Sequence, residues 1–243
     1  MTIEEFSDEF DIQASSYRRF KGYDAQEILD SVEFSEYEKS VFLTKAQEMT
    51  VISLYQAFET SEQSRKQLDS LLRTADIVLG TADTADFVPA KNLKYYTVSF
   101  SEHADTKDIM FIVYETATFS DNSLVCYNDT TVAVVPVRHD ELVKVVQNPF
   151  RGPNTSRVIR VDSGYHKIGL ISKYDLGTYY LRYIAKPAPI ILAPLGELTI
   201  DGVSTVQTCT LDSSLHNTIL SAAVALAIQS KSAGMTSQSD KDE

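Results

Sequence analysis

Cysteine, glycine and histidine are all scarce in this chain, and each shortage removes a class of function. Only Cys126 and Cys209 occur in 243 residues, with no Cys-x-x-Cys spacing, so there is no disulfide framework or zinc site to read. Cys126 lies in a strand-like run and is expected to be buried as a small apolar residue. Nine glycines are few for phosphate-cradling loops, and neither a dinucleotide fingerprint nor a Gly-x-Ser-x-Gly elbow is present. His103, His139, His166 and His216 are scattered and never take a His-x-x-x-His spacing. Basic charge is also in deficit: the net charge is −12, which argues against a general nucleic-acid coat. No apolar run reaches the roughly 20 residues of a membrane span. The acidic, amphipathic opening MTIEEFSDEF does not read as a signal peptide. The sequons at Asn128 and Asn154 therefore read as accidental. The expectation is a soluble protein made in a reducing cytoplasm, with no cofactor and no metal.

The stretch from Tyr179 to Ser230 carries the most information. Tyr179, Leu181, Tyr183 and Ala185 alternate with Tyr180, Arg182, Ile184 and Lys186, the period of a strand. Pro187, Pro189 and Pro194 stop it and hold an extended link. A short strand is expected next, with Asp201-Gly202 as a turn. A helix follows, capped by Asp212, Ser213 or Ser214, with Leu211 placed for a staple contact. From Ile219 to Ile228 only Ser221 is polar. A helix apolar all round must be covered on nearly every side. The cover is either the chain's own core or another copy of it; Leu226 is the residue singled out there. His216, in the first turn, reads as a capping or packing residue.

Residues 1–75 read as helical. Thr2 and Glu5 form a capping box ahead of Phe6 and Phe10, which share a face. Gly22 breaks a less regular stretch. Ser35 and Glu38 form a second box, opening a helix of about 23 residues whose inner face is expected to hold Tyr37, Val41, Ala46, Met49, Ile52, Tyr55 and Ala57. Thr60 and Gln63 offer a further cap, with Leu68, Leu71 and Leu72 lining the helix after it. Residues 76–92, with Gly80 and Pro89, read as a linker. Strands are expected at 94–101, 108–119, 123–127, 130–137, 156–162, 165–174 and 178–186, with a turn at Asn128-Asp129 and a short helix over 139–147 ended by Asn148-Pro149. The polar tail 229–243 is expected to be disordered alone.

Charge is unevenly placed. Residues 1–40 hold 11 acidic against 4 basic side chains, and residues 138–186 hold 9 basic against 4 acidic. This pattern suits head-to-tail docking, or two separate solvated faces. Residues 150–160 (FRGPNTSRVIR) set Arg151, Arg157 and Arg160 around a Gly-Pro turn. They read as a loop reaching an acidic neighbour or nucleic acid, or as a solvated loop. The acidic pairs Glu4-Glu5, Asp8-Glu9 and Glu36/Glu38 lie at helix starts, where they complement the dipole. Asp105 and Asp108 flank a loop and are weak metal candidates.

Three stretches carry a resemblance: MTIEEFSDEFD; SEYEKSVFLTKAQEMTVISLY at 35–55; and RYIAKPAPIIL with the later TCTLDSSLHNTILSAAVALA. Together they cover about a third of the chain. They resemble virion proteins of crAss-like tailed bacteriophages that infect gut Bacteroides. The resemblance implies a non-enzymatic subunit of the head-to-tail connector, a ring or adaptor stacked between portal and tail. Its implied partners are further copies in a dodecamer, the portal, other neck and tail proteins, and passing DNA that is not bound specifically. Other readings are a tail tube, tail hub or head-completion protein, or a virion-associated hydrolase. The expected fold class is α+β, with N-terminal helices over 1–78, a mostly antiparallel β domain with a buried C-terminal helix over 79–230, and a polar tail over 231–243.

Overall fold

The computed structural model describes residues 1–20, 34–83, 92–103, 106–121, 123, 126, 130–164 and 166–239. The Gly22 break, the Asn128-Asp129 turn, Asp105 and most of the expected 123–127 strand lie outside them. The class is α+β, helices plus a mostly antiparallel sheet. The chain divides into two compact units, Met1–Leu71 with Lys186–Glu243, and Leu72–Ala185. This differs from a division at 78 and 230 by grouping the last helix with the first ones.

In the first unit, α1 (Ile3–Phe20) starts at the expected box: Glu5 N–H donates to Thr2 Oγ1 at 3.2 Å and Thr2 N–H to Glu5 Oε2 at 2.8 Å. Phe6 and Phe10 are fully buried, each contributing about 1.5–3 kcal/mol of transfer free energy. Helix α2 (Glu36–Gln56) carries the Ser35/Glu38 box. Its inner face holds the expected Ala46 but otherwise differs from the expected one. Lys39, Ser40, Leu43, Thr44, Ala46, Gln47 and Val51 are buried, whereas Met49 and Ile52 are exposed. The reason is the extended segment after Pro187. Leu192 N–H donates to Ser40 Oγ at 3.0 Å, Ile190 N–H to Thr44 Oγ1 at 3.1 Å, and Gln47 Nε2 to the Ala188 carbonyl at 2.9 Å. Two residues of extended chain advance about 6.6 Å, close to the ~6 Å of one i,i+4 step along a helix. Polar side chains one turn apart thus serve alternate residues of the segment, and they face inward because buried backbone groups need partners.

The helix expected after residue 60 is short. Ser61, not Thr60, caps α3 (Glu62–Gln67), which ends at Leu68. Past the link, the expected short strand is absent. Residues 190–210 hold only isolated bridges, Ile191 to Gln207 and Ile200 to Val203. The latter closes the Asp201-Gly202 turn, with positive φ at both residues. Asp212 accepts from Ser214 N–H in the 3-10 turn ahead of α5 (His216–Ser239). Ile219, Leu220, Ala223, Val224 and Ala227 are buried, while Leu226 is half-buried. The helical backbone runs on to Ser239, where disorder was expected from 229.

The second unit is a seven-stranded sheet in the order β1-β7-β3-β4-β5-β6-β2. The strands are β1 (Leu72–Val78), β2 (Lys94–Ser99), β3 (Ile109–Phe119), β4 (Thr131–Pro136), β5 (Arg157–Gly164), β6 (Lys167–Ser172) and β7 (Leu176–Ala185). Strand β1 corrects the helical reading of 72–75 and the linker reading of 76–78. Ala75 and Ile77 are buried while Thr74, Asp76 and Val78 are exposed, the period of two that pairing with β7 imposes. Among the described residues the one parallel pair, β4 with β5, is joined by α4 (Leu142–Gln147), as parallel neighbours require a crossover. The sheet curls. Just past β1, Asp83 N–H donates to the Tyr95 carbonyl at 2.7 Å on the outer edge of β2, so residues 79–83 link the two edge strands. Cys126 is exposed in a turn, not buried as its strand-like surroundings implied.

Candidate assembly surfaces

The three arginines of the 150–160 segment have three different placements. Arg160 lies on β5 and points across β4 to β3. Its Nη1 donates to Glu115 Oε1 at 2.5 Å and its Nε faces Asp162 Oδ1 at 3.5 Å. Tyr179 on β7 donates to the other Glu115 oxygen at 2.7 Å. Burial pushes the Glu115 carboxyl above its ordinary value, against the opposing pull of Arg160 and Tyr179. Burial, then the Glu115 charge, raises the Tyr179 phenol. Arg160 Nε is left without a hydrogen bond among the described residues, while the Arg160–Glu115–Tyr179 contacts tie β5, β3 and β7 together.

Arg157 begins β5 and acts on the loop before it. Its Nη1 donates to the carbonyls of Phe150 and Arg151, at 3.3 and 3.2 Å. Asn148, the C-cap of α4, accepts at Oδ1 from Phe150 N–H at 2.9 Å and Arg151 N–H at 3.2 Å. Its carbonyl accepts from Gly152 N–H at 2.8 Å. A Cβ on Gly152 would stand 2.9 Å from that oxygen and 3.0 Å from the Val146 carbonyl, so the turn admits only glycine. Asn154 Oδ1 accepts from Ser156 N–H and Oγ. The loop is thereby fixed at both ends, and its tip stands in solvent. Phe150 is 86% exposed and Arg151 is exposed. Neither side chain has a partner among the described residues.

In the first unit, the acidic side of α1 is partly committed. Lys39 is buried at 3% exposure, and its Nζ meets Asp11 at 2.6 Å, Glu36 at 3.0 Å and Ser7 Oγ at 3.0 Å. Burial lowers this amine, but the hydrogen bonds of Asp11 and Glu36 outweigh it and hold the group above its ordinary value. Glu4, Asp8 and Glu9 have no such partner among the described residues. Ile12 stands among them at 62% exposure.

The histidines form no site. Among the described residues no three His, Cys, Asp or Glu side chains cluster as metal ligands. His216 Nδ1 accepts from the Met1 amine at 2.9 Å and Nε2 donates to the Leu211 carbonyl at 3.3 Å. Burial, then the positive terminus, lowers its pKa, so it is a neutral packing residue beside Phe6. A polar groove is lined by Glu62, Gln63, Lys66, Gln67, Asp212 and Ser214, and its Glu62–Lys66 pair, 3.1 Å apart, is a solvent-exposed contact one turn apart on α3. Sequence reasoning did not single out Phe150 or Glu115. The available signals were Asn148 two residues before Phe150 and Asn154 two before Ser156, the spacing of side-chain-closed turns.

The buried charges Lys39, Glu115 and Arg160 are paired within the chain, and the exposed Phe150 sits on a loop fixed by hydrogen bonds. Residues 1–239 match the phage tail ring protein 3/4 family, and the chain belongs to that family. It is 37% identical to "Ring protein 3" of Bacteroides phage crAss001 over 240 residues, covering 95% of this chain and 96% of that protein. It is 30% identical to "Ring protein 4/5" of the same phage over 247 residues, covering 93% and 92%. The protein is thus a ring structural protein of the crAss-like phage class.

Proposed function

We propose that the chain is the repeating subunit of a homo-oligomeric ring in the virion neck, stacked between portal and tail, and that it performs no catalysis. The observation that carries this reading is the extent of the family match, which runs through residues 1–239. The buried titratable clusters support it, because Glu115, Arg160, Tyr179 and Lys39 bind one another or their neighbours rather than lining a cleft. A ring requires two unlike faces on each copy. The uncommitted acids of α1 and the basic loop tip at Arg151 supply such faces. Leu226, half-covered within its own chain, is a further contact for a neighbour; Arg157 and Arg160 contribute through the loop and sheet they build.

A dodecamer would match the portal, and the acidic chain would let DNA pass without sticking, since like charges oppose binding. Assembly would occur in the bacterial host cytoplasm, with the ring then resident in the virion. Negative-stain imaging and mass photometry of the purified chain test this. Closed rings of twelve copies are expected. Helical tubes would favour a tail-tube role, and a monomer that hydrolyses a cell-wall polymer would overturn the proposal.

A further inference from the structure

We propose that the loop tip Phe150-Arg151 is the plug by which one copy docks on the next, with Phe150 against Ile12 and Arg151 against Asp8 and Glu9 of the neighbour's α1. The inference rests on the ring reading and names the contact within it. Phe150, at 86%, is the most exposed of the large apolar side chains among the described residues. An aromatic ring left in water on a mobile loop would gain little by binding, because ordering the loop would offset the contact. Here that cost is already met within the chain. Asn148, Arg157 and the close turn at Gly152 fix the backbone of both tip residues. A preorganised aromatic next to an arginine is the residue pair that dominates protein interfaces.

The tip fits an apolar spot edged by acid. On α1, Ile12 is 62% exposed, and Asp8 and Glu9 lie one turn before it, at the i−4 and i−3 positions that share its side of the helix. The exposed Met49 and Ile52 of α2 fit less well, because Lys45 lies on the same side at i−4 from Met49 and would repel Arg151. Plug and receptor are different surfaces of one chain. Their pairing is head-to-tail, and repeated through a rotation it closes a ring.

The test uses the full-length chain with Cys126→Ser, since Cys126 is exposed. A Phe150→Cys copy is mixed with an Ile12→Cys copy of different tag mass and oxidised mildly. A disulfide-linked hetero-pair in the mixture is expected. Separately, Arg151→Glu and Asp8→Arg are each expected to weaken self-association about tenfold or more in sedimentation, with the combination restoring most of it. Phe150→Ser should reduce assembly further, while circular dichroism stays unchanged. If rings form but neither the cross-link nor these losses appear, the plug is overturned and the ring reading stands. If Phe150→Ser instead abolishes capture of a different virion protein while rings persist, the second-copy occupant is wrong. If the unmodified chain never self-associates, both readings fall.

Discussion

Thr44 and Ile190 satisfy each other through one hydroxyl. Thr44 Oγ1 accepts from the Ile190 N–H at 3.1 Å and donates to the Ile190 carbonyl at 3.4 Å. Thr44 is 5% exposed and Ile190 is fully buried, so no water can substitute. Thr44→Val keeps the shape and removes both bonds. It should destabilise the protein by about 1–3 kcal/mol, the cost of leaving buried backbone groups unpaired. Thr44→Ser keeps the hydroxyl and should lose much less. Urea unfolding of the two variants checks the difference; equal losses would mean the contact is packing alone.

The Glu115–Arg160 pair gives a prediction with a pH signature. The two side chains are 8% and 13% exposed. Arg160→Met leaves Glu115 buried without its cation and should cost about 3–5 kcal/mol at neutral pH. Glu115 already has a raised pKa in the folded chain. A carboxyl raised on folding favours the native state fully below its unfolded value of 4.5 and loses that contribution as pH climbs through the folded value. Removing Arg160 raises it further. The gap between variant and parent should therefore narrow as pH falls toward 4.5. Adding Glu115→Gln to Arg160→Met should recover stability at neutral pH. Thermal unfolding across pH reads both outcomes.

Lys39 predicts the opposite end of the pH scale. Its pKa is held above 10.5 in the folded chain, by Asp11 and Glu36 against the effect of burial. For a base raised on folding, the stabilisation is complete below 10.5 and disappears as pH rises through the folded value. Lys39→Met should cost about 1–2 kcal/mol at neutral pH, because both acids are partly solvated. The variant and parent should converge in alkaline buffer. A constant difference from neutral to alkaline pH would rule out the ion contacts as its source.

Much of this architecture was legible because it follows local rules. The boxes at Thr2/Glu5 and Ser35/Glu38 satisfy helix-end donors with residues three apart, and six strands lie where alternation placed them. What failed depends on partners distant in sequence. Leu72–Val78 is a strand because β7, about a hundred residues later, pairs with it; the leucines before it fit a helix equally well. Hydrophobic spacing places Met49 and Ile52 on the inner face of α2, whereas the buried polar positions there bind the backbone of residues 188–192. Polar Ser40, Thr44 and Gln47 at helical spacing were the signal for that contact. The basic segment was visible as charge, but only the fold separates Arg151 at the tip from Arg157 beneath it and Arg160 inside the sheet.

Leu226 separates folding from assembly. The apolar run of α5 implied a fully buried leucine, for which truncation costs about 2–5 kcal/mol. Within its own chain the residue is only half-buried, so Leu226→Ala should lower the stability of the isolated subunit by about 1 kcal/mol. The uncovered part matters only if a neighbour lies on it. Self-association should then fall by more than subunit stability does, because the same truncation also removes contact area between copies. Chemical denaturation at dilution, where subunits are separate, measures the first effect. Sedimentation at high concentration measures the second. A large folding loss with unchanged association would place Leu226 in the subunit core and return the contact to the loop and α1 alone.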